Sequence, residues 1–160
     1  MKDAPKNDDP ARDSPLDGLT FCLDETNDGP HLIAFLRAKG ANVERLKDHH
    51  VHCGTNDENW LPYVSAKRWI ILSRDKNIRK RLLELLAIKN ACGRMFVLRS
   101  HAISAPEIAD IIDKCYPRML RIIEETEAPF IAHIVRSGAI TIVPLPDWSL
   151  PINANQTVAS

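Results

Sequence analysis

The sequence lacks long apolar runs, paired cysteines and any excess of charge of one sign. No stretch approaches the ~20 consecutive apolar residues that a bilayer-crossing helix requires. The opening residues carry no apolar segment of the secretory kind, so the expected compartment is the cytoplasm, with no membrane partner. Lysine plus arginine number 21 and aspartate plus glutamate also number 21. Net charge therefore predicts neither a nucleic-acid nor a membrane partner, and any such partner has to be argued from local charge. Four cysteines, Cys22, Cys53, Cys92 and Cys115, are widely spaced with no C-x-x-C. That pattern fits reduced thiols in a cytosol better than a disulfide framework. No internal repeat is visible.

What is present suits one domain. The chain has 160 residues and is 44% apolar, enough for a sizeable core. Residues 1–17 are polar and punctuated by Pro5, Pro10 and Pro15, and read as a disordered lead-in. A folded unit is expected over 18–146. Residues 147–160 read as an irregular tail that packs, if at all, through Trp148.

Between the tails, strand and helix patterns alternate. Residues 19–23 read as a buried strand. Residues 30–39 read as a helix, with Pro30 in its first turn and Gly40 just past its end. A second strand is expected at 42–46. Thr55 with Glu58 three positions on is a capping-box signature, so a helix starts there. "RWIILS" (68–73) is the clearest strand, followed by a helix over 75–90 and a strand at 94–98. Ser104 with Glu107 forms a second capping box with Pro106 in the first turn. The helix after it has Ile108, Ile111, Ile112, Cys115, Met119, Ile122 and Ile123 at 3–4 spacing, and Pro117 is expected to kink it. Residues 130–145 read as a hairpin turning near Ser137–Gly138. This alternation implies a mostly parallel sheet with helices on both faces and an antiparallel hairpin at one edge.

Acids cluster where those strands end. Asp24 follows the first strand, Asp57 lies in the first turn of a helix, and Asp75 follows the third strand by two residues. Glu25 and Glu58 are beside them. In parallel sheets ligands gather at the carboxyl ends of the strands, so all three aspartates are expected to converge there. Converging carboxylates suit Mg²⁺ or Mn²⁺, which take oxygen ligands and keep several waters. The competing reading is local: Asp57 and Asp75 sit where helix N-termini favour acids anyway, and Asp24 fits an Asx-turn.

The stretches "FCLDETNDGPHLIAFLRAKGANV", "DHH…GTNDENWLPYV" and "RWIILSRDKNIR", in that order, resemble the PIN-like nuclease domains of VapC-type toxins over residues 19–143. The resemblance implies a three-layer α/β/α PIN-like fold and a Mg²⁺- or Mn²⁺-dependent ribonuclease. It also implies the role of a toxin restrained by a cognate antitoxin, with a possible homodimer through the isoleucine-rich helix, for which core packing is the equal alternative. On it, Asp24 matches the first-strand acid, Asp57 the middle acid and Asp75 the acid of the Ser/Thr-Arg-Asp motif. Many PIN domains carry a fourth acid shortly after the last. Lys76 and Asn77 stand there instead, so Asn77 supplies a ligand without charge, and Glu25 or Glu58 is the candidate compensation. A catalytically inert PIN-like module that binds nucleic acid or a protein is the alternative this departure keeps open.

Local charge adds a route for RNA. Arg74, Lys76, Arg79, Lys80 and Arg81 are opposed only by Asp75 in their span, and Lys67 and Arg68 lie just upstream. Together they are expected to line the path of a phosphate backbone to the metal, against the alternative of a solvated helix face. Asn77 belongs to the same stretch. Trp60 is read as core and Tyr63 as a candidate for base stacking. His49, His50, His52 and Cys53 raise a zinc reading, but the spacing is poor and no second ligand pair follows. His133 is read as a packed or edge-strand histidine.

Overall fold

The structure is a computed structural model that describes residues 14–24, 29–49, 57–74, 82–99 and 103–145, with backbone alone at 57–59 and 82–84. Six strands form one sheet: β1 (Thr20–Leu23), β2 (Asn42–Arg45), β3 (Ile70–Ser73), β4 (Arg94–Leu98), β5 (Phe130–Ile134) and β6 (Ile140–Val143). Among the described residues four α-helices lie between the successive parallel strands: α1 (Pro30–Ala38), α2 (Asp57–Ala66), α3 (Leu82–Ala91) and α4 (Ala105–Glu125). The strand order is β2-β1-β3-β4-β5-β6. β1 to β5 are parallel, and β6 alone runs antiparallel, against β5.

The inner strands β1, β3, β4 and β5 are apolar on both faces because helices cover both, whereas the edge strands β2 and β6 are only partly buried. The pleat sends alternate side chains to opposite sides. Phe21, Leu23, Ile70, Leu72, Phe96 and Leu98 meet Leu32 and Leu36 of α1 and Ile108, Ile111 and Ile112 of α4. Cys22, Ile71, Met95 and Val97 meet Trp60, Leu61 and Val64 of α2 and Ile88 of α3 on the other side. The result is the expected α/β/α sandwich. The α4 face proposed as a dimer surface is consumed in this core: Ile108, Ile111, Ile112, Cys115, Met119 and Ile123 are all buried. His133 is buried in β5, an inner strand, so its packed reading holds and its edge-strand reading does not. Trp60 is core, as expected.

α4 starts on the predicted capping box. Ser104 Oγ accepts from the Glu107 backbone N–H at 3.3 Å, and Glu107 Oε1 accepts from Ser104 N at 3.4 Å. The helix runs unbroken through Pro117, which is exposed, so its missing N–H falls on the solvent side. The hairpin closes with Gly138 at φ 91, as the Ser137–Gly138 signal predicts.

Three helices end alike. After α1, Gly40 N–H reaches Arg37 O at 3.0 Å and Ala41 N–H reaches Leu36 O at 3.1 Å. After α2, Arg68 N–H reaches Ser65 O at 2.9 Å and Trp69 N–H reaches Val64 O at 3.3 Å. After α3, Cys92 and Gly93 make the same pair to Lys89 and Ile88. This is the Schellman arrangement, which puts the residue after the C-cap in the left-handed region. Gly40 fills that place without strain, at φ 96, whereas Arg68 (φ 61) and Cys92 (φ 56) fill it with a Cβ. Arg68, expected to begin the third strand, is therefore a helix stop, and β3 begins at Ile70.

Ser14 to Asp17, assigned above to the lead-in, pack on the fold. Leu16 is buried and its N–H bonds Lys39 O at 3.0 Å. A Cβ on Gly40 would come within 2.7 Å of Ser14 Cβ, so glycine is required there by contact as well as by φ.

Candidate active site

The strand order fixes where a ligand crevice forms. From β1 the chain first moves outward to β2, then returns to the other side of β1 to lay down β3. The switch point lies between β1 and β3, and crevices open there at the carboxyl ends of the strands. Leu23 pairs with Leu72 in the ladder, so Asp24 leaves β1 level with Ser73, and Arg74 follows at once. Asp24 is partly buried.

α2 brings its first residue to the same end. Only Lys67, Arg68 and Trp69 separate α2 from β3, so helix and strand lie antiparallel. Ten helical residues rise ~15 Å and a four-residue strand spans ~13 Å. The backbone of Asp57, first residue of α2, thus stands at the level of the β3 carboxyl end. α4 also begins here. Arg74 donates from Nη2 to the Ile103 carbonyl at 3.3 Å, and a Cβ on Gly29 would lie 4.0 Å from Ala105 Cβ.

Acids and bases meet at this edge, with Asp24 after β1, Glu44 in β2 and Arg74 after β3. The Cys22 thiol, buried one turn of the pleat below Asp24, is pushed up to about 12, first by burial and then by the charges of Asp24 and Glu44. Glu44 was not singled out in the sequence. It sits opposite Cys22 in the β1–β2 ladder, and the signal was there in the alternation Val43-Glu44: with Val43 turned to the α1/α4 core, Glu44 must face the Asp24 side. Its Oε1 lies 2.9 Å from His49 Nε2, and His49 Nδ1 lies 3.0 Å from the Tyr63 hydroxyl. His49, the one described member of the histidine-loop zinc candidates, is thus engaged by a carboxylate and a phenol. His50, His52 and Cys53 lie outside the described residues. Tyr63 packs against His49 and Trp69 with Lys67 5.1 Å above its ring.

Among the described residues no group of three or more His, Cys, Asp or Glu side chains comes together to hold a metal ion. Glu25, Asp75, Lys76, Asn77, Arg79 and Lys80 lie outside the described residues, as do the side chains of Asp57 and Glu58. Lys67 and Arg68 are a correction. Expected to line the route to the metal, they stand at the amino end of β3, roughly 17 Å along the strand direction from Arg74, because the turn that carries them precedes the strand that Asp75 follows.

Among the described residues no helix is long and apolar enough to cross a membrane. Comparison with curated proteins and with solved structures gave no match. A family model described as a PIN like domain matches residues 19–100. The match runs from β1 through β4, just over half of the chain, and contains both strands of the switch point; α4 follows it, and β5 and β6 extend the sheet beyond it. The chain belongs to the PIN-like domain family, whose members are generally nucleases.

Proposed function

We propose that this protein is a metal-dependent endoribonuclease that hydrolyses RNA phosphodiester bonds, acting in the cytoplasm as the toxin of a toxin–antitoxin pair. The observation that carries the reading is the position of Asp24: the acid that ends β1 lies at the topological switch point, level with the end of β3 and with the first residue of α2. Asp24, Asp57 and Asp75 would hold Mg²⁺ or Mn²⁺, with Glu25 and Glu58 as neighbouring acids. When bound, the cation supplies an acidified water and neutralises charge on the phosphoryl oxygens. The chain's own part is to bring the carboxylates together and to guide the phosphate backbone past Arg74, Lys76, Asn77, Arg79 and Lys80. Arg74 is steadied for that role by its bond to the Ile103 carbonyl.

The test is cleavage of single-stranded RNA by purified protein with Mg²⁺, with Mn²⁺ and with EDTA. Wild type should cut only with the cation. Asp24→Asn should lose at least a hundredfold in rate with an unchanged melting temperature. Equal rates for wild type and Asp24→Asn would remove Asp24 from the site. Cation-independent RNA binding without cleavage would favour the inert binding module, for which Asn77 in place of a fourth acid is the sequence argument. The toxin role predicts growth arrest on expression, relieved by co-expression of an antitoxin.

A further inference from the structure

The end of the sheet away from Asp24 carries a second charged feature that the proposed chemistry does not use. Lys67, Arg68, Trp69 and Arg94 wall a groove of about 280 Å³ whose floor is residues 18–20, at the starts of β1, β3 and β4. Among the described residues no carboxylate forms an ion pair with Lys67, Arg68 or Arg94. The adjoining groove, about 580 Å³, shares Arg68, Trp69 and Arg94 and is lined as well by Glu124, Glu125 and Glu127 at the end of α4. The smaller groove has cations and an indole without any carboxylate in its wall.

Two of these three cations are held in place. Lys67 Nζ lies 5.3 Å from the Trp69 ring centre and 5.1 Å from that of Tyr63. Arg94 donates from Nη2 to the Arg68 carbonyl, which fixes its guanidinium and leaves further N–H donors for a ligand. Arg68 occupies the left-handed stop of α2, a place that glycine fills at α1. Retaining a Cβ there costs backbone energy, and what the position gains is an arginine that lines the groove together with Arg94. Arg94 is lowered from its ordinary value by burial and then by the Arg68 charge.

We infer that the groove formed by Lys67, Arg68 and Arg94 at the amino ends of the strands is a phosphate-binding site, separate from the acidic end. Arginine forks match phosphate oxygens through paired N–H donors, with lysine as an added point charge. The phosphate belongs either to an RNA backbone or to a free phosphate or small phosphorylated molecule.

NMR of the full-length protein in a phosphate-free, EDTA-containing buffer tests this. Inorganic phosphate should shift the Trp69 indole N–H and the amides of residues 18–20, 67–69 and 94. Arg68→Gly should weaken that binding about tenfold or more while the melting temperature stays level or rises, since glycine suits the backbone there. Arg94→Lys, which keeps charge but loses the fork, should weaken it too. Asp24→Asn should leave it unchanged, so this result stands apart from the nuclease reading. If an uncleaved single-stranded RNA moves the same resonances and displaces phosphate, the site serves nucleic acid; if only phosphate moves them, the site serves a small phosphorylated ligand. No shift at these residues with either probe, or shifts that survive Arg68→Gly intact, overturns the inference.

Discussion

Replacing Ser104 with alanine probes how the candidate site is braced. Ser104 Oγ accepts from the Glu107 N–H at 3.3 Å and lies 3.1 Å from Glu107 Oε1, while that oxygen accepts from Ser104 N at 3.4 Å. Alanine leaves the Glu107 N–H without its acceptor and frees the glutamate from half of its reciprocal pairing. Loss of such a cap costs about 1 kcal/mol, within a range of roughly 0.5–2. The Glu107 to Arg136 bridge at 3.5 Å, between side chains about half exposed, persists in the variant and contributes at most a few tenths. For a domain of this size the melting temperature should fall by about 2–4 °C. Ser104→Gly, which the backbone at an N-cap tolerates, should cost only a few tenths of a kcal/mol. Urea titration followed by far-ultraviolet circular dichroism reads both. The consequence reaches the site, because the cap fixes Ile103, whose carbonyl accepts from Arg74. An alanine variant as stable as wild type, or a glycine variant as damaged as alanine, would refute this account of how α4 begins.

Other expectations follow from the core, the thiols and the edge of the sheet. Phe96 is fully buried, with its ring 5.5 Å from Phe130 at 78°, so Phe96→Ala should cost about 3–5 kcal/mol in denaturant titration; a loss under ~1 kcal/mol would contradict the packing. Tyr63→Phe removes the phenol that meets His49 Nδ1 at 3.0 Å, and because Tyr63 is 36% exposed the loss should be near the lower end of ~0.5–1.5 kcal/mol. Alkaline stability should fall early. The Cys22 and Cys115 thiols are raised from 9.0 to about 12 and about 11, in both cases chiefly by burial. The unfolded thiols lose their protons first, so stability is full below about pH 9 and declines as pH rises towards those values, by up to ~1.4 kcal/mol per pH unit for each thiol. Denaturant midpoints between pH 8 and 10.5 check the slope, and Cys22→Ala should reduce it. A flat profile would deny the burial.

The parts of this fold that the sequence displayed are those set by local rules. The capping box of Ser104 and Glu107, the apolar run of β3 and the glycine turn of the hairpin each need only a few neighbouring residues, and each appears where expected. Strand order is different. That β3 returns to the far side of β1, and so creates a switch point beside Asp24, depends on which helix covers which face, and no short pattern encodes that. Arg68 misled for a related reason. Next to Trp69 and Ile70 it looks like the start of a strand, and a helix stop normally announces itself with glycine. Lys67 and Arg68 stand close to Arg74 in sequence, but β3 lies between and holds them at the opposite end of the sheet. Glu44 was hidden because a single acid in a short strand looks like surface, and its meaning comes from the ladder partner Cys22. Pro62, inside α2, gave no warning of a helix that continues past it; it is exposed, like Pro117 in α4.

The most direct test of a cation at the carboxyl end of the sheet is paramagnetic broadening by Mn²⁺ in the NMR spectrum of the full-length protein. Substoichiometric Mn²⁺ should broaden the amides of Leu23, Asp24, Ser73 and Arg74 and spare those of Thr20, Ile70 and Arg94 at the opposite end, and Asp24→Asn should remove the effect. Broadening that centres on the amino ends of the strands, or that is indifferent to Asp24, would contradict the account.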